Sequence, residues 1–422
     1  MYQEKRDGFA SKFGVFAAVV GSAVGLGNIW RFPYMTGENG GGAFLIIYFI
    51  FVLLIGIPVV LSEFIIGRRG GKNAYGSLKK LAPGKPWYLI GLMGIIAAFI
   101  ILAFYSTIAG WTLEYIVLSL RNIFVPVSDV DNAKVFTDFH TGALLPLCWQ
   151  MLFLTVTALV IIGGVQKGIE KYSKILMPLL FLILVILSIK SLSLPNAGEG
   201  LRFLFRPDFS KINAGVILHA LGQAAFSLSI GMGALITYGS YIKKNNHLPK
   251  TAFLVSIMDM SIAILAGIAI FPAVFSFGLS PAQGPGLVYI VLPEVFGQMS
   301  GGAFFSLLFF ILLAIAALTS AISLLEVIVA WLSEEFKMKR WKATLLASLL
   351  AAVVGAFTTL SFGVLNGVRI GGKTIFDSFD FLATNILLPL GAFFIVLFLG
   401  WFYGAKQTKE EITNAGTVRI RI

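Results

Sequence analysis

Charge is scarce in this chain. Only 12% of its 422 residues are Asp, Glu, Lys or Arg, against about a quarter in an ordinary soluble domain. A single cysteine, Cys148, excludes an intrachain disulfide. The three histidines, His140, His219 and His247, are too scattered to pair on a metal. Neither HExxH nor GxSxG occurs, so an enzyme of those common hydrolytic types is not expected. No Walker pattern occurs either, and ATP is not the expected source of work. The opening residues lack a cleavable signal pattern: a charged start runs straight into a long, glycine-broken apolar stretch.

What the chain has instead is apolar sequence. At 58% hydrophobic, it carries more apolar surface than one core hides from water, and a bilayer must supply the remaining solvent. Ten segments approach or exceed the roughly 20 residues that span hydrocarbon. They are 12–36, 42–66, 88–120, 141–163, 172–194, 213–240, 251–278, 303–333, 341–362 and 375–403. No strand-like alternation is visible, and unpaired backbone is too costly in lipid, so the spacing predicts an all-α membrane protein of about ten transmembrane helices.

The basic residues set the orientation. With the N-terminus inside and strict alternation, inside segments hold 23 Lys and Arg and outside segments 8, with Arg31 near a boundary. That bias predicts both termini in the cytoplasm of a multi-pass inner-membrane protein. It also accounts for the formal charge of +12 without nucleic acid as a partner, because the charges are scattered between apolar runs and form no stripe. Membrane lipid is the expected surrounding.

Two segments are interrupted. The first contains Gly21-Ser22-Ala23-Val24-Gly25-Leu26-Gly27-Asn28, and the sixth Phe226-Ser227-Leu228-Ser229-Ile230-Gly231-Met232-Gly233. Such glycines read either as close-packing spots between helices or as unwound stretches at a transport site. Segments one and six hold matching places in two halves of five, and both put small polar residues at mid-membrane depth, which favours the second reading.

These stretches resemble the neurotransmitter:sodium symporter family. GSAVGLGNIWRFP at 21–33, GENGGGAF at 37–44, GQAAFSLSIGMGALITYGSY at 222–241 and ALTSAISLLE at 317–326 carry the likeness, in the family's order and across almost the whole chain. The resemblance implies a five-plus-five inverted repeat with unwound first and sixth helices. Residues 1–200 would form the first repeat, 201–405 the second, and 406–422 a cytoplasmic tail. Family members usually have eleven or twelve helices, and no eleventh apolar run follows Lys406. The oligomeric state is therefore left open.

The resemblance also implies a site for a small amino acid and two sodium ions. One ion would sit among the Ala23 carbonyl, Asn28, Ser227 and Asp259, where the substrate carboxylate completes the shell in relatives. The other would sit among the carbonyls of Gly21, Val24 and Ala316 and the hydroxyls of Thr319 and Ser320. Asp259 also stands out on its own, since a carboxylate at that depth is a functional hypothesis by default, or else a structural partner for a hydroxyl. Many relatives have asparagine there and need chloride. The chloride-ligand position four residues on is Ala263 here, so Asp259 is expected to replace chloride and to exchange a proton for sodium on the return step.

Gly25 sits where amine carriers of the family have aspartate, which leaves room for a substrate carboxylate on the amides of Leu26 and Gly27 and on Tyr105. The amine would meet the carbonyls of Ala23, Phe226 and Ser227 and the Ser229 hydroxyl. The side chain would fill a mostly apolar pocket of Ser22, Val24, Ile101, Phe226, Met232, Ser320 and Leu324. Its GMG stretch resembles bacterial members that take large hydrophobic and aromatic amino acids. Arg31, Asp380 and Gln223 match an outer gate under a lid of Tyr105 and Phe226. Arg6 and Glu334 match an inner one, near Phe9, Ser240 and Tyr241. Glu63 is expected to brace the sixth helix. The function implied is sodium-coupled, chloride-independent symport by alternating access; the alternative is a sodium-dependent amino-acid sensor on the same fold.

Overall fold

The computed structural model describes residues 8–124, 131–282, 284 and 286–414. Every element of regular structure in these residues is helical. The main ones are α1 (Lys12–Ala23), α2 (Gly27–Glu38), α3 (Gly42–Gly70), α4 (Tyr88–Leu120), α5 (Leu144–Ile162), α6 (Val165–Leu192), α7 (Ala214–Ser227), α8 (Ala234–Gly239), α9 (Leu248–Ser276), α10 (Gly302–Glu335), α11 (Arg340–Leu360), α12 (Ile375–Tyr403) and α13 (Ala405–Ile412). Eight are long and apolar enough to cross a bilayer, and α1 with α2, bent by 46°, makes a ninth span. The sixth expected segment is present as α7 and α8, of 14 and 6 residues, neither of which crosses alone. The fifth begins at Val165, earlier than 172, because Lys167, Glu170 and Lys171 read as loop although they lie within helix.

Outward faces remain apolar. Leu54 is 72% exposed and Leu144 76%, as suits lipid contact and not water. At the centre α4 and α10 pack along their lengths, with the two broken segments between them and α3, α6 and α9 around these.

The breaks follow from local chemistry. Ser11 caps α1 by accepting the Gly14 amide at 3.0 Å. The helix stops where Val24 turns extended, with φ −81° and ψ 107°. In the sixth segment Ser229, Gly231 and Gly233 take φ of +55°, +80° and +74°. Glycine at 231 is required twice over: the φ is left-handed, and a Cβ would overlap the Leu388 carbonyl. Ser229 holds the same region without that freedom, a local strain. Its hydroxyl donates to the Ser22 carbonyl at 2.7 Å, tying one break to the other.

Past the last span, the segment expected as a tail from 406 is docked as far as Asn414. The guanidinium of Arg68, at the end of α3, bonds the Glu411 carboxylate and donates to the Glu411 carbonyl at 2.6 Å, to Asn414 Oδ1 at 2.8 Å and to the Asn246 carbonyl at 2.8 Å. The Arg68 side chain is 3% exposed and that of Glu411 8%. Removing one member of so buried a pair strands the other, at a cost of about 3–5 kcal/mol. Arg68→Ala should therefore lower the melting temperature of the purified protein clearly, and Arg68→Lys by less. An unchanged melting point in Arg68→Ala would show that the clamp contributes nothing.

Candidate functional site

The two breaks face each other across a cavity of about 20 Å³. The first segment lines it with Ser22, Ala23, Gly25 and Gly27, and α4 with Ile101 and Tyr105. The second break adds Phe226, Ser229 and Met232, and α10 adds Ser320 and Leu324. A space on the scale of one water admits no amino acid unless helices separate. Three more residues expected at the site, Val24, Leu26 and Ser227, border the cavity without lining it. Val24 is fully buried and turns its carbonyl to α10. The Leu26 amide donates to the Tyr105 hydroxyl at 3.0 Å. Ser227 points to Asp259.

One wall of the cavity is polar. Around Gly25 a Cβ would overlap the Ser320 hydroxyl and lie 2.8 Å from that of Tyr105. The glycine thus keeps open the space beside a tyrosine hydroxyl and the N-terminus of α2, an arrangement suited to a carboxylate. The other wall, Ile101, Phe226, Met232 and Leu324, is apolar and suits an aliphatic or aromatic side chain.

Two oxygen clusters flank the cavity. In the first, Asp259 is fully buried. Its carboxylate accepts from Asn28 Nδ2 at 2.8 Å, from the Ser227 hydroxyl at 2.8 Å and from the Tyr48 hydroxyl at 3.0 Å. Asn28 Oδ1 in turn accepts the Gly25 amide at 3.3 Å. All these partners are neutral. An acid so placed needs a counter-charge, and hydroxyl, amide and carboxylate oxygens are what a hard monovalent cation takes. A turn of the Asn28 amide brings its oxygen into the set. Ala23 contributes to the cavity wall beside it.

In the second cluster the Thr319 hydroxyl lies 3.1 Å from the carbonyls of Ala316 and Ile315 and 3.4 Å from that of Val24. The Ser320 hydroxyl lies 3.3 Å from the Ser22 carbonyl and 3.4 Å from those of Gly21 and Val24. Every oxygen expected for the second ion is in this group, together with two that sequence did not suggest, from Ser22 and Ile315.

Each end of the cavity is shut. On the side away from the basic loops, Arg31 stands 3.7 Å from Asp380 and 4.9 Å over the Phe226 ring. Gln223 donates to the Gly27 carbonyl at 2.8 Å. On the basic side, Arg6 lies outside the described residues. Its expected partner Glu334 accepts from the Asn73 amide at 2.7 Å and the Asn73 side chain at 2.9 Å. Phe9 is buried against Tyr238 and Tyr241. Ser240, expected at this gate, bonds back to the Thr237 carbonyl in its own helix. Glu63 braces the sixth segment as expected, accepting the Gly231 amide at 2.7 Å.

Several residues escaped sequence reasoning. Tyr48 sits in an apolar run, IIYFI, with nothing to mark its hydroxyl. Glu326 accepts from the hydroxyl of Tyr241, itself expected at the inner gate, at 2.7 Å and pairs with Arg340 at 2.5 Å; this acid lies inside the ALTSAISLLE motif, and a carboxylate in a spanning helix is the available signal. Glu170 accepts the Ala10 amide at 2.6 Å and the Ser11 hydroxyl at 2.9 Å, and pairs with Lys174 at 2.5 Å, fixing the start of α1.

Known proteins resemble this chain along nearly its whole length. Residues 6–143 and 134–421 match the model of the Sodium:neurotransmitter symporter family. A sodium-dependent transporter of Bacillus subtilis, YhdH, is 44% identical over 98% of this chain and 92% of its own length. A sodium-dependent transporter of Haemophilus influenzae is 40% identical over 99% of this chain and 94% of its own. The crystal structure of MhsT in complex with L-phenylalanine superposes with a TM-score of 0.92 at 50% identity, covering 97% of this chain and 93% of that one.

Tyr48→Phe removes the one hydroxyl hydrogen that reaches Asp259 at 3.0 Å, a bond worth about 1 kcal/mol. The apparent sodium affinity, read as the sodium concentration giving half-maximal thermal stabilisation of the protein, should shift severalfold. An unchanged sodium dependence would place the cation away from Asp259.

Proposed function

The chain belongs to the sodium:neurotransmitter symporter family, and from that premise we propose that it carries amino acids, large hydrophobic or aromatic ones, with sodium and without a chloride requirement. The observation that carries the reading is the one cavity between two broken segments, polar at Gly25 and Tyr105, apolar opposite, and flanked by two oxygen clusters. The substrate carboxylate lies at the Leu26 and Gly27 amides and Tyr105. Its amine meets carbonyls of the two breaks, and its side chain lies against Ile101, Phe226, Met232 and Leu324.

Two sodium ions travel with it as co-substrates. Asn28, Ser227, Asp259 and the Ala23 carbonyl hold the first. Gly21, Val24, Ala316, Thr319 and Ser320 hold the second. The first joins the broken helices to α9 and the second joins α1 to α10, so each ion favours the packed arrangement that also closes round the substrate. Such shared stabilisation is coupling, and it is reciprocal. The closed ends above and below fit alternating access, with Arg31, Asp380 and Gln223 at one gate and Glu334, Tyr241 and Arg6 at the other.

Asp259 supplies a fixed negative charge beside the first ion. Ala263, one turn on, is buried and offers no hydroxyl to an anion. The excess of Lys and Arg on one face supports the reading that this face is cytoplasmic, with both termini there. The matching positions of the two breaks support a five-plus-five repeat, residues 1–200 and 201–405.

In proteoliposomes with an inward sodium gradient, radiolabelled L-phenylalanine should accumulate, and leucine-sized or aromatic amino acids should compete better than glutamate or lysine. Accumulation without sodium would sink the symport reading, and sodium-dependent binding without accumulation would make the protein a sensor. Replacing chloride by gluconate should leave uptake unchanged. Asp259→Asn should abolish most uptake, and Asp259→Asn with Ala263→Ser should regain it only in chloride. Chloride dependence in the parent would overturn the role given to Asp259.

A further inference from the structure

Behind the cavity wall lies a buried polar cluster that none of the steps above uses. It sits where α4 meets α5 and α11. Gln150 of α5 is fully buried. Its Nε2 donates to the Ser106 hydroxyl at 2.8 Å and reaches the Ala103 carbonyl at 3.5 Å. Its Oε1 accepts from the Thr359 hydroxyl at 2.9 Å. The Thr107 hydroxyl lies 2.8 Å from that of Thr359 and 2.9 Å from that of Thr358. The Ala103 carbonyl also receives Ser106 at 2.8 Å and Thr358 at 3.4 Å.

The backbone has been cleared to admit this amide. A Cβ at Gly355 of α11 would overlap Gln150 Nε2, and one at Gly110 of α4 would lie 2.9 Å from the backbone nitrogen of Gln150, so the first glycine admits the side chain and the second the close approach of α5. Both glycines are helical, so close approach and not backbone freedom is what they provide.

Interhelical hydrogen bonds in membranes are weak on average. What they add beyond apolar packing is direction. Leucine and alanine contacts let a helix roll about its axis at little cost, whereas bonds to fixed donors and acceptors do not. The hub of this cluster, Ala103, lies between Ile101 and Tyr105, both of which line the cavity. The roll of this one turn is therefore the placement of the Tyr105 hydroxyl, 3.0 Å from the Leu26 amide.

We propose that Gln150 is a positioning residue for substrate binding: through Ala103, Ser106 and Thr359 it fixes the roll of α4 and holds Tyr105 at the first broken segment. The inference rests on the amino-acid site proposed above. It makes Gln150 act through Tyr105, which separates it from a residue that merely stabilises the bundle.

The test measures equilibrium binding of L-phenylalanine in saturating sodium to the purified full-length protein. Gln150→Leu should weaken affinity about tenfold. Tyr105→Phe should also weaken it, and the double variant should lose little more than the worse single. Thr359→Val should weaken binding, and Thr359→Ser, which keeps the hydroxyl, should not. Sodium-induced thermal stabilisation without amino acid should change much less than amino-acid affinity in Gln150→Leu, since Tyr105 touches Ser320 of one ion cluster but is not itself among the oxygens of either. If Gln150→Leu does not fold, Gly355→Ala displaces the amide while retaining it, and the same dependence on Tyr105 is expected. Unaltered affinity, or losses that add fully with Tyr105→Phe, would overturn the role. Failure of the parent protein to bind any amino acid would instead overturn the functional reading on which it rests.

Discussion

A helix that stops inside a bilayer leaves backbone amides and carbonyls that lipid cannot satisfy, and this one constraint orders the structure. The first and sixth segments both stop there. Their freed groups are met by each other and by side chains sent from long, intact helices. Ser229 reaches the Ser22 carbonyl, Tyr105 takes the Leu26 amide, Asn28 takes the Gly25 amide and Glu63 takes the Gly231 amide. Three long helices contribute partners for this backbone, α3 with Glu63, α4 with Tyr105 and α10 with Thr319 and Ser320, while Tyr48 of α3 and Asp259 of α9 meet the side chains of Asn28 and Ser227. The carbonyls left over face Thr319 and Ser320 and become the second oxygen cluster. The site is thus a result of how interrupted backbone is accommodated in lipid.

The two closed ends differ in kind. Away from the basic loops the closure rests on a 3.7 Å pair whose acid side chain is 31% exposed, a cation over the Phe226 ring, and one bond from Gln223. The Arg31 side chain is only 9% exposed, so both its pair and its contact with the ring are partly desolvated. On the basic side Glu170 holds Ala10, Ser11 and Lys174, Glu326 holds Tyr241 and Arg340, and Glu334 holds Asn73. Charge-assisted bonds of this kind are about twice as strong as neutral ones. Among the described residues the first end is thus held by one ion pair, one ring contact and one amide bond, and the basic side by several bonds to carboxylates.

Much of this was legible in the sequence, for reasons that can be named. Spans are long and lipid tolerates few charges, so hydropathy alone located them; the error at α6 came from Lys167, Glu170 and Lys171, which lie in helix at the bilayer edge. The breaks were visible because glycine and serine are conspicuous at mid-depth. Gly25, Asn28 and Asp259 were found through local motif and depth. Tyr48 was not, since its partner Asp259 is 211 residues away and tyrosine in an apolar run marks nothing. Gln150 was missed in the same way: its partners come from α4 and α11, and the LLPLCWQMLF stretch shows only a polar residue in a span. Periodicity reports which face is apolar, but it does not report which polar groups meet across three helices.

The residue types around Asp259 follow a rule of their own. Serine, threonine and tyrosine hydroxyls both donate and accept, and an asparagine side chain presents either an oxygen or an NH₂ by turning over. As the bonds stand, Asn28, Ser227 and Tyr48 point hydrogens at the carboxylate. On the reading proposed above, a cation among them would meet lone pairs of these same hydroxyls. Thr319 and Ser320 have the same freedom against the carbonyls of α1 and α10. Lysine or arginine beside Asp259 would satisfy the acid permanently and shut the cation out. A set made only of neutral groups that can both donate and accept leaves the charge of the acid available, which suits the cation site proposed for it.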